Sequence, residues 1–476
     1  MSLKFGTSGL RGLSVELEGE PTALYATAFA RHLLTTGMAR PGDTVLVGRD
    51  FRDSSPGIAA FAIGALKAAG LEPRDCGPVP TPALALYGLG LDAACLMVTG
   101  SHIPADRNGI KFYRPDGEIG KDDEGAISAI AAAMRDANER VPAAPAAAPD
   151  CSAEVEALFL ERNKRLLSPY ALKGMKIGVY QHSTVARDLF VDVLTHYGAD
   201  VVSLGRSDTF IPVDTEAVSG ETVAKLTEWA GQFGLDAIVS ADGDGDRPLL
   251  ADEKGQPLRG DLLGLIAAGF LGAEVVATPV TSNSGIEGAG DYRVLRTKVG
   301  SPFVIAAMAD ALSAGEKRIM GFEANGGTLT ASPFEVNGYT LSPLPTRDSF
   351  LPVLAALSLA AGRREFLSAV AGSFSLPVAA SDRLENFPTD TSAALMRMLR
   401  SGPEALAAFL APIGLPLETS DIDGLRVTLE DRRVIHFRPS GNAPEMRCYV
   451  EAENEEAAKA LLKKGLSVIR EWAKTV

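Results

Sequence analysis

The segment from residue 235 to residue 252 reads Leu235-Asp236-Ala237-Ile238-Val239-Ser240-Ala241-Asp242-Gly243-Asp244-Gly245-Asp246-Arg247-Pro248-Leu249-Leu250-Ala251-Asp252. The apolar runs on either side of the acidic stretch predict two short buried strands, and Glu253-Lys254-Gly255 predicts a turn. Between the strands, three carboxylates alternate with glycines and an arginine closes the run. Carboxylates this close repel one another unless a cation sits among them, and their hard oxygens suit Mg²⁺ or Ca²⁺. Glycine lets so short a loop bend until the side chains converge. The run therefore predicts a metal site with a phosphate handled beside it. One alternative is an EF-hand, since Asp242, Asp244, Asp246 and Glu253 fall at its ligand spacing. Arg247 and Pro248 occupy its obligatory glycine turn, however, and the flanks are extended rather than helical. The other alternative is a solvated acidic turn, which seldom needs three evenly spaced carboxylates.

The strands belong to a larger rhythm. A helical pattern over Ala23 to Thr36 leads to a strand at Thr44 to Asp50, a helix near Ile58 to Ala69 and a strand at Ala93 to Val98. Residues 76–82 read as turns, and Val141 to Pro149 as a linker or exposed loop. A second βα rhythm starts at Met175 to Tyr180 and runs to the acidic loop. A third has helices at Asp261 to Leu271 and Pro302 to Leu312, with strands at Glu274 to Thr278 and Arg318 to Phe322. The last hundred or so residues hold strands at Leu425 to Leu429, Arg433 to Phe437 and Glu445 to Glu451 before a helix, Glu455 to Lys474. The expected fold class is α/β, with three successive α/β domains of mixed sheets and a smaller C-terminal α+β domain. The expected divisions are 1–145, 151–255, 256–370 and 375–476.

Composition narrows the function classes. The chain has 476 residues, 46% of them hydrophobic and 22% charged, as in an ordinary globular protein of several domains. A net charge of −14 argues against nucleic acid as a partner. It leaves anionic substrates open, because local arginine clusters override a global charge. Met1 to Gly6 lacks a signal-peptide pattern, and no apolar run is long enough to span a bilayer. Cys76, Cys95, Cys151 and Cys448 form no CxxC pair. Neither a disulfide framework nor a zinc site is expected, and a reducing cytoplasm is the expected location.

Four further loops, and a turn that follows one of them, carry polar chemistry near strand ends. Thr99-Gly100-Ser101-His102-Ile103-Pro104 follows a buried strand, so Ser101 is a candidate nucleophile or phosphoryl carrier. Asn108-Gly109-Ile110-Lys111 places a lysine that could pair with phosphate or move a proton. Gly6-Thr7-Ser8-Gly9-Leu10-Arg11-Gly12 is a glycine- and hydroxyl-rich loop that can cradle phosphate. It lacks the GxxxxGK[ST] pattern, and no strand is expected before it, which excludes a dinucleotide fingerprint. In Gly321 to Gly327, Glu323 and Asn325 would point the same way if the loop were extended, which suits paired sugar hydroxyls. Arg438-Pro439-Ser440-Gly441-Asn442-Ala443-Pro444-Glu445-Met446-Arg447 has the inventory for a phosphate dianion.

In chain order, Gly6 to Gly12, Thr99 to Pro104, Asp242 to Arg247, Gly321 to Gly327 and Arg438 to Arg447 resemble the loops of the α-D-phosphohexomutase family, which includes phosphomannomutases and phosphoglucomutases, over essentially the whole chain. The resemblance implies four domains around one central cleft, each contributing a loop. It implies transfer of phosphate between O1 and O6 of a hexose through phosphorylated Ser101 and a hexose 1,6-bisphosphate. It implies Mg²⁺ held by Asp242, Asp244, Asp246 and a Ser101 phosphate oxygen. Arg11, His102 and Lys111 are the implied catalytic neighbours, with Lys111 the candidate for acid/base work. Arg247 would steady the phosphoserine or sugar, and Glu323 and Asn325 would hold sugar hydroxyls. Arg438, Ser440, Gly441, Asn442 and Arg447 would grip the phosphate that is not reacting. Three departures stand out. Gly100 and Ile103 replace a larger residue and Asn, Asn325 replaces the commoner Ser, and Gly327 replaces a His. Mannose phosphate is the expected substrate, with glucose, glucosamine and acetylglucosamine phosphates as alternatives. A phosphatase acting through Ser101 and a non-catalytic sugar-phosphate-binding protein are the readings of other classes. A monomer or homodimer is expected.

Overall fold

A computed structural model describes residues 3–6, 9–440 and 444–475. The acidic run closes a β-hairpin. Strand Ala237–Ala241 pairs antiparallel with Pro248–Ala251, Ala241 opposite Pro248, which leaves residues 242–247 as the loop. Both strands are buried along their whole length, so they read as unbroken apolar runs rather than alternating ones. Behind the hairpin, Lys176–Tyr180 lies between Ala237–Ala241 and Asp200–Leu204 and parallel to both. This hairpin excludes the EF-hand. Glu253 turns away to accept from the Ser368 backbone N–H at 3.2 Å.

The same plan recurs on each side. In the first unit, Thr44–Arg49 runs parallel between Glu72–Pro78 and Ala94–Val98. Arg107–Arg114, Leu10–Leu13 and Lys4–Phe5 then extend the sheet antiparallel. In the third, Val275–Pro279 runs parallel between Arg293–Thr297 and Ile319–Phe322. Thr328–Thr330 and Leu344–Asp348 follow antiparallel. The last unit is a wholly antiparallel five-stranded sheet, covered by helix Glu455–Ala473. The architecture is thus three α/β units with mixed sheets and a C-terminal α+β unit.

Several local expectations change. Residues 76–82 are not turns throughout. Glu72–Pro78 is a strand at the sheet edge, where proline costs no ladder bond, and Thr81–Gly90 is a helix with proline in its first turn. A short strand, Lys4–Phe5, does precede the N-terminal loop, but it leads into strand Leu10–Leu13 rather than a helix. The segment 141–149 has no regular structure yet is pinned, with Ala146 N donating to Ala60 O and Asp75 N to Pro149 O. The edge strands Val378–Leu384 and Pro416–Ser420 were not expected. They are largely exposed and lack the apolar signature of their central neighbours.

One hydrophobic cluster runs through the first three units, with Leu46 and Met97 in the first, Phe159 and Phe190 in the second and Phe322 and Phe350 in the third. Phe350 stacks on Phe190 at 3.9 Å and meets Phe159 edge-on at 5.0 Å. The last unit has its own core around Leu395, Val427, Phe437 and Leu461. Polar contacts join it to the third unit. Asp423 accepts from Val299 N, Asn283 donates to Pro377 O, and Glu451 accepts from the backbone and hydroxyl of Ser284. Thr99 to Ser101, Asp242 and Glu323 each lie just past the carboxyl end of a central strand, where α/β sheets bind ligands.

Candidate active site

Ser101 leaves strand Ala94–Val98 with φ +54°, an unusual conformation for a residue with a side chain. Two bonds hold it there. Its N–H donates to Thr99 Oγ1 at 2.8 Å, and its carbonyl accepts from Arg52 Nη2 at 3.1 Å. Arg52 is 2% exposed. Its guanidinium also donates to the carbonyls of Ile103, Pro104 and Arg107 and to Asp50. Gly100 leaves room for it, since a Cβ there would lie 2.7 Å from Arg52 Cζ. The backbones of the serine and acidic loops also meet closely, because a Cβ on Gly243 would lie 2.8 Å from the Ser101 carbonyl. Gly245, at φ +71°, makes the bend in the acidic loop.

That approach brings the Ser101 hydroxyl to Asp242 Oδ2, donating at 2.5 Å. The three aspartates are fully buried. Lys111 Nζ donates to Asp244 Oδ2 at 2.5 Å and Asp246 Oδ2 at 2.6 Å. Thr81 Oγ1 also donates to Asp244 Oδ2, and Arg347 donates twice to Asp246 Oδ2. Asp244 Oδ1 and Asp246 Oδ1 remain buried with no hydrogen-bond partner among the described residues. One ligand oxygen from each aspartate falls within 4.8 Å of the others. Two buried carboxylate oxygens without donors, beside a third carboxylate whose Oδ2 takes the Ser101 hydroxyl, fit a hard divalent cation.

The charges set one another's ionisation. Burial, then Asp244 and Asp246, push the Asp242 carboxyl well above its ordinary range. Burial acts the same way on Asp246, but Arg347, Lys111 and Arg247 outweigh it and hold that carboxyl far below. Burial opposes the Lys111 charge, yet Asp244 and Asp246 raise its pKa, so it stands as an ammonium. In that form it can donate a proton but not accept one. Burial, then Arg247 and Arg11, hold His102 down to about 2. Its ring is neutral, with Nδ1 accepting from Arg247 Nη1 at 2.8 Å and lying 3.2 Å from Ser101 Oγ. Arg11 falls to about 10 through burial and the nearness of Arg247 and Arg347, which marks it as part of the same cluster.

The sugar-loop expectation needs correction. Residues 323–326 form a turn rather than an extended strand, with Gly326 N donating to Glu323 O at 2.9 Å. Asn325 Oδ1 closes that turn by accepting from Gly327 N. Glu323 Oε2 is held by Arg347 Nη1 at 2.8 Å. Thr81, Arg52 and Arg347 were missed by sequence reasoning. Arg52 and Thr81 each sit just past a strand end, and this position is the signal that could have found them.

In the last unit, Arg438 and Arg447 are direct cross-strand partners. Like charges placed opposite destabilise a sheet unless an anion lies between them. Asp423 accepts from Arg438 Nε at 2.8 Å, and Glu445 lies 3.4 Å from Arg447 Nη2. Arg447 Nε is buried without a partner among the described residues. Ser440 N donates to Glu445 O, while Gly441 and Asn442 lie outside the described residues, as do Thr7 and Ser8 of the N-terminal loop. A cavity of about 260 Å³, bounded by Glu216, Arg259, Ala324, Arg426 and Tyr449, separates this sheet from the sugar loop.

Family models described as phosphoglucomutase/phosphomannomutase alpha/beta/alpha domains I, II and III match residues 2–138, 158–255 and 259–375. The C-terminal domain model of the same family matches residues 386–465. A phosphomannomutase of Sinorhizobium fredii is 55% identical over 469 residues, covering 98% of this chain and 99% of its own. A phosphomannomutase of Salmonella muenchen is 42% identical over 472 residues, covering 98% and 96%. A crystal structure of a family protein from Burkholderia thailandensis superposes with a TM-score of 0.77 at 22% identity, covering 98% of this chain and 97% of that one.

Proposed function

The chain belongs to the phosphoglucomutase/phosphomannomutase family, and on that premise we propose that it interconverts mannose 1-phosphate and mannose 6-phosphate through a phosphoserine at Ser101. One observation carries this reading: the Ser101 hydroxyl donates to Asp242 at 2.5 Å, inside a buried cluster that also holds Asp244, Asp246, Lys111 and Arg347. Mannose is favoured because relatives 55% and 42% identical along nearly the whole chain are phosphomannomutases.

A sugar hydroxyl attacks the phosphorus on Ser101, the P–Oγ bond breaks, and in net the hydroxyl proton ends on Ser101 Oγ. The product is a hexose 1,6-bisphosphate. Reversal at its other phosphate restores phosphoserine and releases the isomeric monophosphate. Mg²⁺ held by Asp242, Asp244 and Asp246 would supply neutralisation of the charge on the transferring group. Lys111 and Arg247 add fixed positive charge beside Ser101, and the Ser101 backbone is already held for transfer by Arg52. Arg438 and Arg447 grip the idle phosphate, and Glu323 accepts from sugar hydroxyls. The four free cysteines suit a reducing cytoplasm.

The test is incubation with mannose 1-phosphate, Mg²⁺ and a trace of the 1,6-bisphosphate. Mannose 6-phosphate is expected, and inorganic phosphate without it would overturn the mutase reading in favour of a phosphatase. Mass spectrometry should place phosphate on the Ser101 peptide, and Ser101→Ala should abolish turnover.

A further inference from the structure

We propose that Arg347 makes the sugar site select neutral hexose phosphates over amino-sugar phosphates, an inference that rests on the phosphohexomutase reading and names its substrate class. Arg347 lies in strand Leu344–Asp348 and is 5% exposed. Its Nε and Nη2 donate to Asp246 Oδ2 at 3.0 and 2.8 Å, and its Nη1 donates to Glu323 Oε2 at 2.8 Å. A guanidinium is a rigid planar fork that keeps its charge. One side chain thus ties the carboxylate of the acidic loop to that of the sugar loop, from different units, in a single relative position.

Gly327 belongs to the same device. A Cβ there would lie 2.6 Å from Arg347 Cδ and 2.7 Å from its Cγ. The backbone of Gly327 is not left-handed, so the glycine answers to volume. The absent side chain is what lets the arginine stem pass to Glu323.

The chemistry follows from charge pairing. A buried carboxylate with no counter-charge attracts any cation, including an ammonium on a sugar. Paired with Arg347, Glu323 still accepts a hydrogen bond from a hydroxyl, but its negative charge is offset by the guanidinium it shares with Asp246 and by the nearby Arg247. An amino-sugar phosphate would carry its ammonium into a cluster that also holds Arg11 and Arg247. A mannose phosphate brings hydroxyls there instead.

The experiment titrates the intact protein, with Mg²⁺, against mannose 6-phosphate and glucosamine 6-phosphate by calorimetry. Wild type should bind mannose 6-phosphate at least about tenfold more tightly, and Arg347→Gln should narrow that ratio about fivefold or more, since one unit charge near a partly buried ammonium is worth this much. Arg347→Lys, which keeps the charge, should stay nearer the wild-type ratio. Gly327→Ala, which obstructs the arginine stem, should narrow the ratio like Arg347→Gln and serves if that variant melts early. A ratio in both charge-disrupting variants within about twofold of wild type, or a wild type that prefers glucosamine 6-phosphate, overturns the inference. The turnover assay is separate. Wild type that binds with the expected preference yet interconverts no mannose phosphate would sink the mutase reading and leave the role of Arg347 standing.

Discussion

The Arg52 guanidinium donates to the Ser101 carbonyl at 3.1 Å from beneath the loop that carries the serine. Because the same guanidinium is fixed by three other carbonyls and Asp50, it cannot move aside for a side chain at position 100. Gly100→Ala would place a Cβ 2.7 Å from Arg52 Cζ. Overpacking of this kind costs about 1–3 kcal/mol. The expected result is a matching loss in urea stability and a fall in kcat of about tenfold or more as Ser101 shifts from the aspartates. Unchanged kcat would mean that Arg52 supports the fold and not the serine.

Three buried carboxylates with two unpaired oxygens predict that a divalent cation stabilises the fold itself. Chelation should lower Tm, and Mg²⁺ should restore it. A cation at 100 times its Kd adds about 2.7 kcal/mol. Asp244→Asn should remove most of the Mg²⁺-dependent shift. If Tm in chelator equals Tm in Mg²⁺, the aspartates do not hold the ion.

The cross-strand pair Arg438 and Arg447 predicts an anion-binding face. Arg438→Ala and Arg447→Ala should each raise the KM for the phosphosugar about 10- to 100-fold, the range expected for losing a charged hydrogen bond. The phosphoserine content of the purified protein should not change. A KM within twofold of wild type in both variants would place the idle phosphate elsewhere.

The readable parts of this molecule were local. Asp242 to Arg247 declares its chemistry because ligands and glycines lie within six residues, between strands buried on both faces. Arg347 does not declare itself. Its role depends on the register of Leu344–Asp348 against Thr328–Thr330 and on space left by Gly327, both of them non-local. Arg52 is similar, since its partners are carbonyls some fifty residues away and a carbonyl has no sequence signature. The turn at residues 323–326 was not legible because an asparagine two residues before a backbone N–H can close its own turn. Edge strands such as Val378–Leu384 escaped for want of a buried face.

The separate core of the last unit and its polar attachment to the third predict that this unit swings when ligand bridges the cleft. Scattering should show a smaller radius of gyration with saturating mannose 1-phosphate. Glu451→Ala removes the acceptor for the Ser284 backbone N–H and hydroxyl, and should widen the ligand-free distribution. Identical curves with and without ligand would argue for a rigid arrangement.

Stability should also fall in mild acid, through two buried histidines. His436 donates from Nε2 to the Asp423 carbonyl and stacks on Tyr449, and His182 donates to the Ala241 carbonyl. Burial, against those hydrogen bonds, brings both down to about 4, with Arg426 and Arg438 adding to it at His436 against the Asp423 charge and Arg187 adding to it at His182. The unfolded chain titrates near 6.5, so between pH 6.5 and 4 it binds protons that the folded chain refuses. Stability therefore is fully present above that window and drops as pH falls through it, by about 1.4 kcal/mol per histidine at pH 5.5. His436→Gln keeps a donor for the Asp423 carbonyl and removes the titration. Between pH 7.5 and 5.5 it should lose about 1.4 kcal/mol less than wild type by calorimetry. An equal loss in both proteins would show that His436 accepts its proton without unfolding.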